Sequence, residues 1–190
     1  MTRVILNFTM SLDGFIAGPD VGEANPMGVD GEELHEWMFG DVAVADREQI
    51  DAIRSRTGAV VIGRRTFDLG FPHWDNDVPY PAPSFVLTHR AAPDIAAKSG
   101  TIRFVTGGPN VCVMEARHAA QGKDVVVMGG EAAHALLQYG LVDQLVLQIS
   151  PKLLGRGVRL FEGFDRPLEL ERVWAMVSPN TTHLTYDIRK

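Results

Sequence analysis

Two apolar runs limit what this chain can fold into. Val60-Val61-Ile62 stops at Gly63, Val125-Val126-Val127-Met128 stops at Gly129-Gly130, and each runs at once into residues suited to open a helix. Extending the pattern predicts strands over residues 59–62, 85–87, 102–105 and 125–128, alternating with helices over 64–69, 111–120 and 132–139. The texture then changes: 145–149, 170–177 and 182–188 read as strands, with no helix between the last two. Alternation followed by a meander predicts one α/β domain over residues 1–190, its mixed, mostly parallel sheet of about eight strands ending in an antiparallel hairpin. In such sheets ligands sit at the carboxyl ends of strands, which is where Gly63 and Gly129-Gly130 fall.

The N-terminal third is less regular. Residues 4–8 read as the first strand, and residues 14–30, rich in Gly, Pro and Asn, form a loop too long for a plain connector. Asp30-Gly31-Glu32-Glu33 has capping-box form with Asp30 as the cap, and Leu34, Trp37 and Met38 then share one helical face. Asp46-Arg47-Glu48-Gln49 repeats that logic for a second helix carrying Ile50 and Ile53, which Gly58 would end. Near the C-terminus Thr182, Leu184, Tyr186 and Ile188 alternate with His183, Thr185, Asp187 and Arg189, so one face of that strand is expected to be wet.

Composition removes several function classes. A net charge of −6 opposes nucleic acid or an anionic membrane as the main partner. Cys112 is the single cysteine, which rules out an internal disulfide, a thiolate metal cluster and the P-C-x-x-C signature of zinc deaminases. His35-Glu36-Trp37-Met38-Phe39 begins like H-E-x-x-H but ends in Phe, and His73, His89, His118, His134 and His183 show no ligand spacing, so no metal is expected. No apolar stretch is long enough for a signal peptide or a membrane span, and a cytoplasmic protein is the default.

Three strand ends carry the chemistry. Gly63-Arg64-Arg65-Thr66 reads either as two solvated arginines or as an anion site, in which helix-start amides, the Thr66 hydroxyl and arginine forks meet a phosphate. Leu87-Thr88-His89-Arg90 is a second donor cluster that, taken singly, reads as a surface turn. In Met128-Gly129-Gly130-Glu131-Ala132-Ala133 the paired glycines let backbone approach a ligand and the alanines keep the first turn slim, with a tight structural turn as the alternative. The three share one position in the architecture, as a cofactor with several phosphates would require. Neither G-x-G-x-x-G nor G-x-x-x-x-G-K-[ST] occurs, so a Rossmann or P-loop site is not on offer.

The order of these pieces carries a resemblance. Met10-Ser11-Leu12-Asp13-Gly14-Phe15-Ile16-Ala17-Gly18 is followed by Val61-Ile62-Gly63-Arg64-Arg65-Thr66-Phe67, Phe85-Val86-Leu87-Thr88-His89-Arg90 and Val127-Met128-Gly129-Gly130. Leu141-Val142-Asp143-Gln144-Leu145 and Pro151-Lys152-Leu153-Leu154-Gly155-Arg156-Gly157 complete the set. Over nearly its whole length the chain resembles the dihydrofolate reductase superfamily, and more closely the reductase domain of the bifunctional riboflavin-biosynthesis deaminase-reductases. That resemblance implies a three-layer α/β/α fold with NADPH across the strand ends. It implies that Thr9, Ile16 and Ala17 hold the nicotinamide amide through backbone groups, and that Gly63, Arg64, Arg65 and Thr66 meet phosphates. Leu87, Thr88, His89 and Arg90 would surround the adenosine 2′-phosphate, while Met128, Gly129, Gly130, Glu131, Ala132 and Ala133 would lie along the pyrophosphate. The loop 14–30 would be a mobile flap.

The activity implied is NADPH-dependent hydride transfer to a small flat heterocycle, either 5-amino-6-(5-phosphoribosylamino)uracil or a pterin-like substrate. Trp37 and Trp74 are the substrate-side aromatics, although Trp74 reads equally as a cover on the core edge. The proton source is the weak point. Leu34 stands where dihydrofolate reductases carry a pocket acid, and Met128 where the riboflavin-type reductases often carry Glu, which leaves Asp13 and Glu36 as candidate catalytic carboxylates. Alternatives are a catalytically silent NADP(H)-binding sensor or scaffold and a broad quinone or nitro-compound reductase. The riboflavin-type relatives pair through their sheets, so a homodimer is expected, with Leu145, Leu147 and Ile149 as interface candidates.

Overall fold

The computed structural model describes residues 2–163 and 167–189. In chain order its strands are β1 (Val4–Ser11), β2 (Phe15–Ala17), β3 (Thr57–Gly63), β4 (Ser84–Leu87), β5 (Ile95–Ala97), β6 (Gly100–Val105), β7 (Asp124–Met128), β8 (Gln144–Ser150), β9 (Val158–Arg159), β10 (Leu170–Val177) and β11 (Thr182–Ile188). The α-helices are α1 (Val44–Arg56), α2 (Arg64–Gly70), α3 (Gly108–Ala119) and α4 (Gly130–Gln138). The class is the one expected, a three-layer α/β fold. Its nine-stranded sheet has the order β10-β11-β8-β1-β7-β3-β4-β6-β5. The sheet is parallel in the middle and antiparallel at the β10–β11 end. It is antiparallel at the other edge too, where the short strand β5, which no sequence pattern announces, folds back on β6.

The chain divides into two compact units, Met1–Leu6 with Arg54–Asp143, and Asn7–Ile53 with Gln144–Lys190. The first unit is the alternating part. Its central strands β3, β4 and β7 are nearly all apolar and buried, because helices and loops cover the sheet, and Val60, Ile62, Phe67, Val78, Ala82, Val86 and Ile102 form one core cluster. Gly58 does not end a helix. α1 passes directly into β3 at Thr57, and Gly58 is small because a Cβ there would lie 2.4 Å from the carbonyl oxygen of Ala120. Trp74 belongs to the core edge: it packs against the cluster and fills the space that a side chain at Gly70 would need.

The second unit departs further from the sequence expectations. Residues Gly31–Met38 wind as a 3-10 helix, and Asp30 does not cap it, since its backbone is left-handed at φ 61 rather than extended and its side chain makes no cap bond. The apolar spacing nevertheless buries Leu34 and Trp37 as anticipated. Asp46 is not a cap either. α1 starts two residues earlier, and the Asp46 carboxylate is taken by His183. That pairing also buries His183, 1% exposed, on the face of β11 expected to be wet, where Thr185 and Asp187 are half-buried and Arg189 is exposed. Leu145 and Leu147 are likewise buried in the protein's own core, so the exposed apolar side chains on this part of the sheet are instead those of β10. The loop over residues 14–30 folds on itself through β2, Gly18 N–H to Met27 O at 2.8 Å and Val29 N–H to Pro19 O at 2.8 Å.

Candidate functional site

The first unit sets four strand ends side by side. Parallel pairing aligns Gly63 with Leu87, Ile62 with Met128, and Leu87 with Val105, so β3, β4, β6 and β7 finish level with one another. Each apolar run ends where the chain needs polar or flexible residues to turn, and these turns therefore emerge along one edge. Gly129 adopts φ +91, and a Cβ on it would sit 2.3 Å from the Thr66 hydroxyl oxygen. Only glycine meets both demands. Gly63 has Ala132 within 3.4 Å of where a Cβ would be, so the slim first turn of α4 seats against the end of β3. The first amides of α4 have no intrahelical acceptor, and Gly129 as N-cap offers no side-chain bond. Glu131 lies exposed in that same turn.

The arginines form a defined group. Arg64 Nε donates to Asp68 Oδ1 at 2.7 Å and Arg90 Nη2 donates to Asp68 Oδ2 at 3.2 Å. Arg64 Nη1 reaches the Arg90 carbonyl oxygen at 3.5 Å, and its guanidinium lies 5.3 Å over the Phe104 ring. Thr88 is buried and its hydroxyl oxygen accepts the Arg90 amide at 3.0 Å, fixing the β4 turn; His89 and Arg65 are exposed. α2 has only seven residues, so its contribution here comes from side chains more than from a helix end. Sequence reasoning missed Asp68, whose signal was its i,i+4 spacing to Arg64, and Phe104 at the end of β6. It also missed Gly107-Gly108-Pro109, a glycine pair that opens α3 at the end of β6.

The second unit holds the remaining predicted residues. Thr9, Ile16, Ala17 and Trp37 are all buried, and Trp37 Nε1 donates to Thr9 Oγ1 at 3.1 Å. Trp37 meets the His183 ring edge-on at 5.2 Å between centroids, and His183 Nε2 lies 2.7 Å from Asp46 Oδ1. Asp13 accepts the backbone amides of Leu154 at 3.2 Å and Gly155 at 2.7 Å, one on each carboxylate oxygen. A hydrogen bond from Ser11, followed by those two amides, holds the Asp13 carboxyl below its ordinary value. Asp13 is thus an ionised anchor for the turn after β8. Glu36 is exposed and lies 2.9 Å from Lys152, which also pairs with Glu33 at 2.7 Å. Both candidate carboxylates are therefore engaged in contacts of their own.

Comparison with known proteins bears on the family and the fold. The family model described as RibD C-terminal domain matches residues 2–183. The riboflavin biosynthesis protein RibD of Corynebacterium ammoniagenes is 30% identical over 165 residues, which are 82% of this chain and 45% of that protein, so the chain spans about half the length of this relative. Among solved structures, a protein of Shewanella sp. PV-4 named for riboflavin biosynthesis superposes with a TM-score of 0.77 at 24% identity, over 100% of both chains. The dihydrofolate reductase of Enterococcus faecalis, solved with NADP(H), superposes with a TM-score of 0.57 at 16% identity, over 99% of this chain and 97% of that one. These two show the fold.

Proposed function

Because the chain belongs to the family of RibD C-terminal domains, we propose that it is an NADPH-dependent reductase of a small flat heterocycle, of the 5-amino-6-(5-phosphoribosylamino)uracil kind. The observation that carries this reading is the level ending of β3, β4 and β7, which gathers Thr66, Gly129, Arg64 and Arg90 along one edge of the first unit. These residues fit a phosphate-rich cofactor. A Cβ would fill the cradle at Gly129, and two guanidinium groups with donors to spare suit a phosphate monoester. In this reading Arg64, Arg90 and Thr88 hold the 2′-phosphate end, and Thr66 with the first amides of α4 holds the pyrophosphate. The bound cofactor supplies the hydride, and the chain's own part is to bind and orient it.

The engaged state of Asp13 and Glu36 supports a second reading, a protein that binds the nucleotide and does not turn over. Titration with NADPH followed by its fluorescence, then NADPH oxidation against a panel of aminopyrimidines, pterins and quinones, separates the two. Saturable binding with aminopyrimidine-dependent oxidation is the expected result. Binding with no oxidation on any compound selects the silent reading, and no binding sinks both.

A further inference from the structure

Asp68 stands between two arginines that the sequence assigns to different strand ends. Arg64 lies one helical turn before it on α2, and Arg90 follows β4. Each carboxylate oxygen takes one guanidinium, Oδ1 from Arg64 Nε at 2.7 Å and Oδ2 from Arg90 Nη2 at 3.2 Å. Two cations brought this close would otherwise repel, and the shared anion offsets that repulsion. The contacts leave donors unspent: Arg64 Nη2, and Arg90 Nε and Nη1, have no hydrogen-bond partner among the described residues. The stacking of Arg64 on Phe104 and its reach to the Arg90 carbonyl further define the guanidinium's position. Two guanidinium groups are therefore held side by side, each with donors left over and with one negative charge built in between them.

That built-in charge acts oppositely on the two nicotinamide cofactors. A phosphate monoester is close to a dianion at neutral pH and needs the guanidinium edges that Asp68 occupies, so it meets both competition and repulsion there. A ribose hydroxyl is neutral, needs neither arginine, and can donate to a carboxylate, which is how acidic residues accept the unphosphorylated cofactor in other dinucleotide sites. Resting on the cofactor reading above, we infer that Asp68 is a specificity-determining residue: it restrains the preference for NADPH and lets the site admit NADH as well.

The test compares wild type with Asp68→Asn, titrating each with NADPH and with NADH. Asparagine keeps an oxygen for Arg64 Nε but removes the charge and turns a donor toward Arg90 Nη2, so it also releases Arg90; Asp68 is exposed, and circular dichroism checks the fold. The variant is expected to bind NADPH about fivefold more tightly, the size of an exposed charge contact, with NADH unchanged or weaker, so the NADPH-to-NADH ratio widens. Glu48→Gln, an exposed carboxylate on α1, controls for net charge and leaves the ratio unaltered. A ratio that stays the same or narrows in Asp68→Asn overturns the inference while leaving the cofactor reading intact, as does an equal widening in Glu48→Gln. Wild type that binds neither nucleotide overturns the cofactor reading and this inference with it.

Discussion

His183 Nε2 lies 2.7 Å from Asp46 Oδ1, and both side chains are sealed from solvent at 2% and 0% exposure. The second carboxylate oxygen, Oδ2, has no hydrogen-bond partner among the described residues. A buried polar pair of this kind is held by its geometry: removing one member strands the other without water or a bond. Because the His183 ring also meets Trp37, which donates to Thr9, the pair fixes a run of side chains through the second unit.

Asp46→Ala and His183→Ala are each expected to lower unfolding stability by about 3 kcal/mol. The double variant should lose clearly less than the sum, with a coupling of about 1 kcal/mol or more. Urea unfolding of the four proteins measures it; strict additivity would show that the contact contributes nothing.

His35 gives the protein a pH dependence of known sign. Burial holds its pKa below the ordinary value, with the Gly31 backbone bond only partly opposing that. The unfolded chain therefore binds the proton more readily than the folded one. The stability tied to neutral His35 is fully present above about pH 6.5 and is lost as pH falls through the lower folded value. Melting temperatures of wild type and His35→Gln across this window should diverge, the variant's falling less steeply.

Cys112 should be inert in the native state. Burial, with Glu115 adding to it, pushes its thiol pKa up to about 12, and the thiolate is the reactive form. A disulfide reagent at neutral pH is expected to label it only after denaturant is added. The same shift makes the folded protein hold this proton longer, so the associated stability is present below about pH 9 and declines above it. Rapid native labelling would contradict the burial.

Gly129→Ala addresses the phosphate edge directly. The new Cβ would have to adopt a left-handed φ and collide with Thr66, for a stability loss of about 1–3 kcal/mol. NADPH affinity should fall at least tenfold in the surviving folded protein, by about the 1.4 kcal/mol that factor represents. Undiminished nucleotide binding would place the cofactor elsewhere.

β10 is an outer strand of the sheet and exposes Leu170, Val173, Trp174 and, at 79%, Val177. An edge strand with such a face invites association, and we propose it as the surface of a homodimer. Light scattering at micromolar concentration should report two chains for wild type and one for Val173→Lys with Val177→Lys. A monomeric wild type would end the proposal.

The strand–helix alternation and the three donor-rich strand ends were legible because their signals are local. An apolar run that stops at glycine, an arginine pair and a Gly-Gly step before alanines each declare a backbone requirement within a few residues. The bounds of β10 and β11 were read correctly for the same reason. Cap assignments failed at Asp30 and Asp46 because a carboxylate ahead of a helix looks alike whether it caps the turn or is drawn away by a distant partner. β5 and β9 are too short to carry a period.

The sequence by itself determined where strands end and which of those ends carry glycines and cations, since a buried run must close with residues that tolerate a turn. Only the tertiary structure decided that Asp68 joins Arg64 to Arg90, that Asp13 holds the turn at Leu154 and Gly155, and that Asp46 is spent on His183 137 residues away. Such pairings follow from which backbones the sheet brings together. Charge and hydrogen-bonding capacity are written in each residue, but a partner is chosen by proximity after folding, and no periodicity along the chain records that choice.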